Sequence, residues 1–304
     1  MKIIPGGTHK MEHHTPTPIT GHTALICLLG SPCAHSISPM MHNASFEALG
    51  LDYRYLAFDV NEATLPTAVA GLKVLGARGF NLTMPDKNLM VSLCDELSTA
   101  ARIIGAVNTV VNENGRLIGH NTDGIGYMQS VKDAGYDIIG KKMTLLGAGG
   151  AATAILVQAA LDGLKEISVF VRPTSRFYDR LVHTVDELTK ITDCKIKICD
   201  FSDAELLKQE LADSAILTNG TSVGMAPHED TCPVPEDLVF PDGLIVSDII
   251  YNPRETRLLS MAKHQGNPFF NGSYMLLYQG AEAFRLWTRK EMPVEQIKRE
   301  FFSR

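Results

Sequence analysis

A two-domain α/β fold is the class this sequence predicts, and three observations carry the prediction. From Thr23 onward, short β-like runs alternate with helical patterns, as in strands joined by helical crossovers. A glycine turn over 147–152 stands between one such run and an uncharged helical stretch. The chain of 304 residues exceeds the roughly 250–300 residues at which single cores stop growing.

In order, TALICLLG (23–30) reads as a strand and SPMMHNASFEALG (38–50) as a helix capped by Ser38, with Pro39 in its first turn and Gly50 closing it. YRYLAFDV (53–60) is a second strand, EATLPTAVAGLKVLG a second helix despite Pro66, and RGFNLTM (78–84) a third strand. NLTMPDK therefore sits where the carboxyl end of a strand meets a helix. GAVNTVVNENGRLIGHNTDG (105–124) reads as a hairpin turning at Glu113-Asn114-Gly115. A new unit begins at KKMTLLGAGGAATAI, with further strands at 167–171, 195–201, 215–220 and 244–251. The tail from Ser273 reads as two helices. The expected division is an arm over 1–22, a first domain over 23–122, a second over 123–272, and C-terminal helices over 273–304 returning to the first domain.

Composition narrows the function classes. An apolar fraction of 45% and a charged fraction of 20% are those of an ordinary globular chain. A net charge of −6 and a pI near 5.9 argue against nucleic acid or an anionic membrane as partner, and leave small molecules. The six cysteines form no CxxC pair and read as reduced core residues, so neither a disulfide framework nor a metal site is expected. MKIIPGGTHKMEHHTPTPITGH lacks the basic-then-apolar pattern of a signal peptide and reads as a loose arm, in which His9, His13 and His14 are tail residues rather than a ligand set. The uncharged run 147–161 is shorter than the ~20 residues of a membrane span. A cytoplasmic protein, monomeric or homodimeric, is expected.

The glycine turn is Gly147-Ala148-Gly149-Gly150-Ala151-Ala152, directly after a strand and opening an Ala-rich helix. That context suits a dinucleotide: the first glycine makes the turn, the second lets the backbone approach a pyrophosphate, and the free N–H groups of the helix start stabilise its charge. A free ribose 2′-hydroxyl usually meets Asp or Glu about 20 residues on. Here the next strand, ISVFV, leads into Arg172, Thr174, Ser175 and Arg176, which could hold a 2′-phosphate or form a solvated basic loop.

Four segments are rich in small polar groups: GSPCAHSISPMMHN (30–43), NLTMPDK (81–87), GAVNT (105–109) and GHNTDG (119–124). Together they resemble the shikimate dehydrogenase family, including its shikimate/quinate branch, whose patterns GxPxxHSxSPxxHN, NxTxPxK, GAxNT and NTDGxG occur in order. NGSYMLLYQGAEAF (271–284) resembles that family's closing helix. The resemblance, from about Leu25 to Phe302, implies a mostly parallel N-terminal substrate domain facing a Rossmann-type NAD(P)-binding domain. It implies reversible oxidation of the 3-hydroxyl of shikimate, or of quinate, to the dehydro-acid. Ser36 and Ser38 would bind the substrate carboxylate, Asn81 and Thr83 the ring hydroxyls, and Lys87, Asn108 and Asp123 the hydroxyl being oxidised, reached also by Gln279 and Tyr251. Gly147 to Ala151, Arg172, Thr174, Arg176, Ser222, Tyr251 and Gly272 form the implied cofactor set.

The residue chemistry agrees, since oxidising a secondary alcohol needs a group to take the hydroxyl proton, and a Lys beside an Asp can do so. Several bland roles compete. Ser36 and Ser38 could cap a helix, Asp123 could be an N-cap, Asn108 could satisfy a turn, and Gln279 could be a core amide. His35 and His42 read as structural. The Asn-Arg-Thr triplet of NADP-specific members is Val171-Arg172-Pro173 here and no acid stands near Thr174, so NADP and NAD are both expected to be accepted. A folate-type dehydrogenase of similar layout would need aromatic stacking partners for a pterin, which the first block does not offer. A non-catalytic cofactor sensor would not need Lys87 and Asp123.

Overall fold

The computed structural model describes residues 18–302. The expected arm lies outside the described residues up to residue 17, with His9, His13 and His14; residues 18–22 are exposed. β1 (Ala24–Gly30) is apolar on both faces because both are covered. Cys27 and Leu29 meet Val69 and Leu72 on one side, while Ile26 and Leu28 meet Met41, Phe46 and Phe284 on the other.

α1 (Ser38–Ala48) and α2 (Leu65–Val74) each accept a proline in the first turn, where a missing N–H costs nothing. Ser38 is not the cap of α1: Ile37 is already in the helical region and offers no cap bond. The Ser38 N–H instead donates to Ser36 Oγ, 3.2 Å away. β2 (Tyr53–Asp59) and β3 (Gly79–Leu82) flank β1, both parallel to it. A 3₁₀ turn over Leu89–Leu93, the two-residue β4 (Glu96–Leu97) and α3 (Thr99–Ile104) follow. β5 (Thr109–Glu113) and β6 (Arg116–His120) form the expected hairpin. Asn114 (φ 53°) and Gly115 (φ 90°) take the left-handed conformations that a two-residue turn requires. The sheet order is β2-β1-β3-β5-β6-β4, with β3/β5 and β5/β6 antiparallel and the other pairs parallel.

α4 (Asp123–Asp133) leads to a second sheet in which all pairs are parallel. Its parts are β7 (Lys142–Leu146), α5 (Gly150–Leu161), β8 (Glu166–Val171), α6 (Tyr178–Thr189), β9 (Lys195–Asp200), α7 (Ala204–Leu211), β10 (Ile216–Asn219), β11 (Ile245–Asp248), α8 (Arg257–Gln265) and β12 (Phe269–Phe270). The order β12-β11-β10-β7-β8-β9 is that of a doubly wound nucleotide-binding sheet. α5 has no charged residue because it is buried on nearly all sides.

α9 (Ser273–Thr288) returns to the first sheet, where Trp287 Nε1 donates to Val110 O at 2.9 Å and Arg78 Nε donates to Trp287 O at 2.9 Å. Gly79 makes this possible, since a Cβ there would lie 2.3 Å from the indole nitrogen. α10 (Val294–Ile297) and a π-helical turn over Lys298–Phe302 end the described chain, held by Lys298 against Asp133. Among the described residues no helix is long and apolar enough to cross a membrane.

Candidate active site

β1, β3 and β6 run in one direction, so the loops leaving their carboxyl ends meet at one edge of the first sheet. These loops and the helix starts they lead into carry Ser36 and Ser38, Thr83 and Lys87, and Asp123. β5 enters at the same edge, just after Asn108. Gly30, the last residue of β1, has no room for a side chain, since a Cβ there would lie 2.2 Å from the Thr83 methyl.

Lys87 Nζ lies 2.7 Å from Asp123 Oδ2, and both side chains are largely buried. Asn108 Nδ2 donates to the other carboxylate oxygen at 2.8 Å and to Thr122 Oγ1 at 3.0 Å, while its Oδ1 accepts the Thr122 N–H. Asn108 therefore neither stands idle in a turn nor has an amide hydrogen left over: it fixes the carboxylate that fixes the amine. Asp123 is the first residue of α4 rather than its N-cap, which is Thr122. Below them, Tyr55 Oη donates to Asn81 Oδ1 at 2.7 Å, and Asn81 Nδ2 donates to Asn108 O and Thr109 Oγ1 at 3.0 Å each. Both Asn81 amide hydrogens are thus taken, leaving only its oxygen any capacity toward a ligand.

A cavity of about 470 Å³ opens over these groups. Ser36, Ser38, Asn81, Thr83, Lys87, Asn108, Asp123, Tyr251 and Gln279 all line it. Gln279 is no core amide, although its Nε2 also donates to Leu276 O at 2.9 Å. Of the two histidines read as structural, His42 is fully buried and stacks on Tyr55 with ring centres 4.6 Å apart. His35, by contrast, lines the cavity. Sequence reasoning missed Tyr55, which reads as strand filler, and the wall formed by Arg254, Phe301 and Phe302.

A second cavity of about 870 Å³ lies at the carboxyl ends of the parallel sheet and shares Ala151, Ile249 and Tyr251 with the first. Gly147 to Ala151, Arg172, Ser222 and Tyr251 line it, and no Asp or Glu does. Gly147 has φ +98°, a turn few side chains tolerate. Gly149 and Gly150 differ: a Cβ on either would meet no atom within 4 Å. Packing does not require glycine there, whereas backbone contact with a phosphate at the free N–H groups of α5 does. A dinucleotide fits this cradle. Thr174 and Arg176 stand exposed outside its lining, the Arg176 guanidinium lying 4.7 Å over the Phe177 ring, while Ser175 and Phe177 take their place. Gly272 lines the smaller cavity, pressed so close to Ile249 O that a Cβ would lie 1.9 Å from it.

Two family matches agree with this layout: "Shikimate dehydrogenase substrate binding domain" over residues 28–110 and "Shikimate 5'-dehydrogenase C-terminal domain" over residues 272–300. Shikimate dehydrogenase (NADP(+)) of Listeria monocytogenes serotype 4b is 53% identical over 285 residues, covering 93% of this chain and 97% of that protein. Quinate/shikimate dehydrogenase of Escherichia coli O139:H28 is 44% identical over 280 residues, covering 92% and 97%. The crystal structure of shikimate 5-dehydrogenase from Listeria monocytogenes in complex with shikimate and NAD superposes with a TM-score of 0.89 at 53% identity, covering 93% of this chain and 98% of that one.

Proposed function

The chain belongs to the shikimate dehydrogenase family, and on that premise we propose how its residues divide the work of oxidising the 3-hydroxyl of shikimate, or of quinate, reversibly to the dehydro-acid. The carrying observation is the Lys87–Asp123 pair, 2.7 Å apart in a cavity that shares a wall with the nucleotide cradle. A bound nicotinamide supplies the hydride chemistry. One proton passes between the substrate hydroxyl and the Lys87–Asp123 pair, with Lys87 Nζ as the carrier. Asn108 holds Asp123 in register, and Ser36 and Ser38 receive the substrate carboxylate. Asn81 and Thr83 face the ring hydroxyls, with Gln279 and Tyr251 above them. Gly147 to Ala151 present backbone N–H groups to the pyrophosphate, Ser222 borders it, and Arg172 is the cation nearest a 2′-phosphate. Both nucleotides serve, with NADP ahead. The working division is 23–122 for substrate, 123–272 for nucleotide and 273–304 closing the substrate side, in a cytoplasmic monomer or homodimer.

A kinetic matrix of shikimate and quinate against NADP and NAD, followed by absorbance of the reduced nucleotide, tests this reading. Turnover of shikimate with at least one nucleotide is expected. Its absence from all four combinations would sink the assignment.

A further inference from the structure

We propose that Arg254 is a substrate-recognition residue, the cation that draws the carboxylate of shikimate into the cavity and binds it there; this rests on the reaction assigned above. The charged groups lining the cavity are Lys87, Asp123 and Arg254, with Cys33, His35 and Tyr251 as the other titratable side chains. Lys87 and Asp123 neutralise each other at 2.7 Å. Arg254 is exposed, and its guanidinium makes no ion pair or hydrogen bond among the described residues. The wall therefore carries one uncompensated positive charge, against a substrate with one carboxylate.

Position supports the assignment. Arg254 lies in the loop between β11 and α8, whose ends are tied together by Thr256 Oγ1 donating to Asp248 Oδ2 at 2.8 Å. Its carbonyl accepts Asn271 Nδ2 at 2.9 Å, and Asn271 Oδ1 accepts the Ser273 N–H at the start of α9. The backbone is thus fixed beside the helix that carries Gln279, while the side chain is free to turn toward a ligand. Ser36 and Ser38 offer a carboxylate only neutral hydroxyls, whereas a guanidinium adds a charge-assisted contact in planar geometry. Arg254 lines the substrate cavity and not the nucleotide cavity, which points to the carboxylate rather than a phosphate.

The test compares wild type, Arg254→Gln and Arg254→Lys on shikimate and on its methyl ester, with NADP. Arg254→Gln is expected to raise KM for shikimate about tenfold or more, the usual size of a lost contact to a charged group, with kcat within about twofold and KM for NADP unchanged. Arg254→Lys should fall between, and on the uncharged ester the three proteins should converge. An unchanged KM for shikimate, an equal loss on the ester, or a loss confined to KM for NADP overturns the proposal. A wild-type protein that does not turn over shikimate overturns the reaction assignment and this inference together. Normal wild-type turnover with an unaltered Arg254→Gln enzyme overturns this inference alone.

Discussion

At the scale of the residue, the proton transfer proposed above falls to Lys87, whose partner Asp123 has both carboxylate oxygens engaged. Asp123 spends one oxygen on Lys87 and the other on Asn108. Lys87→Ala should lower kcat roughly 10²–10⁴-fold, the range of a positioned acid–base group, with substrate binding measured by fluorescence or calorimetry retained. A kcat near that of wild type would remove Lys87 from the reaction. This residue was legible because NLTMPDK carries its motif in one short run. Asn108 was legible as a site residue but not in its role, since its partners Thr122 and Asp123 lie 14 and 15 positions away. Tyr55 was not legible, for its hydroxyl meets Asn81 26 positions on and its ring reads as one more aromatic of a strand. Arg254 belongs to no motif, and only the fold brings its loop over the first domain's cavity.

At the scale of the element, glycines separate packing from binding. Gly126 of α4 lies against α9, where a Cβ would come 2.6 Å from Gln279 N and 2.7 Å from Met275 O. Backbone cannot yield as a side chain can, so Gly126→Ala must push α9 away. Overpacking of this kind costs about 1–3 kcal/mol. It should also raise KM for shikimate, because α4 starts with Asp123 and α9 carries Gln279. Gly149→Ala is the counterpart, since its Cβ would enter open space. Urea unfolding of that variant should match wild type while KM for the nucleotide rises; unchanged nucleotide binding would mean that the cradle does not seat a phosphate. The two long parallel runs and the glycine turn were readable because full burial leaves a continuous apolar signature. Residues 89–104 were not. β4 has two residues and exists because its neighbours Asp95 and Ser98 donate backbone N–H groups to Leu117 and Gly119 of β6, a tertiary cause that leaves no periodicity. β12 is equally short, and pairs with β11 through Phe269 and Phe270.

At the scale of the whole molecule, buried titratable groups from different layers set how stability responds to acid. Burial among aromatic rings in the first domain pushes His42 down from 6.5 to about 3. The unfolded chain therefore binds that proton first, so the stability His42 contributes is present above pH 6.5 and is lost as pH falls toward 3. Asp248, at the end of β11, behaves oppositely. Burial lifts its carboxyl from 3.8 to about 6, only partly offset by hydrogen bonds from the Ile250 N–H, Thr256 and Asn219. Its contribution is present below pH 3.8 and is lost as pH rises through 6. Between pH 6 and 4 the two slopes oppose, each at most about 1.4 kcal/mol per pH unit, so they nearly cancel. Below that window Glu210 joins His42. Burial raises its carboxyl, but hydrogen bonds from Lys142, Ser168 and Lys197 outweigh this and hold it at about 2, so its contribution is present above 4.5 and is lost toward 2. Urea unfolding at successive pH values separates the two contributions through a variant of each residue compared with wild type. Asp248→Asn, which keeps the acceptor for Ile250 and Asn219 and lets the Thr256 hydroxyl turn to accept, should lose stability relative to wild type between pH 6 and 4, by up to about 3 kcal/mol. His42→Phe, which keeps the aromatic stack, should gain relative stability over the same range by a similar amount. Curves of both variants running parallel to wild type across that window would show that neither buried group titrates there, and the compensation between the two domains would not exist.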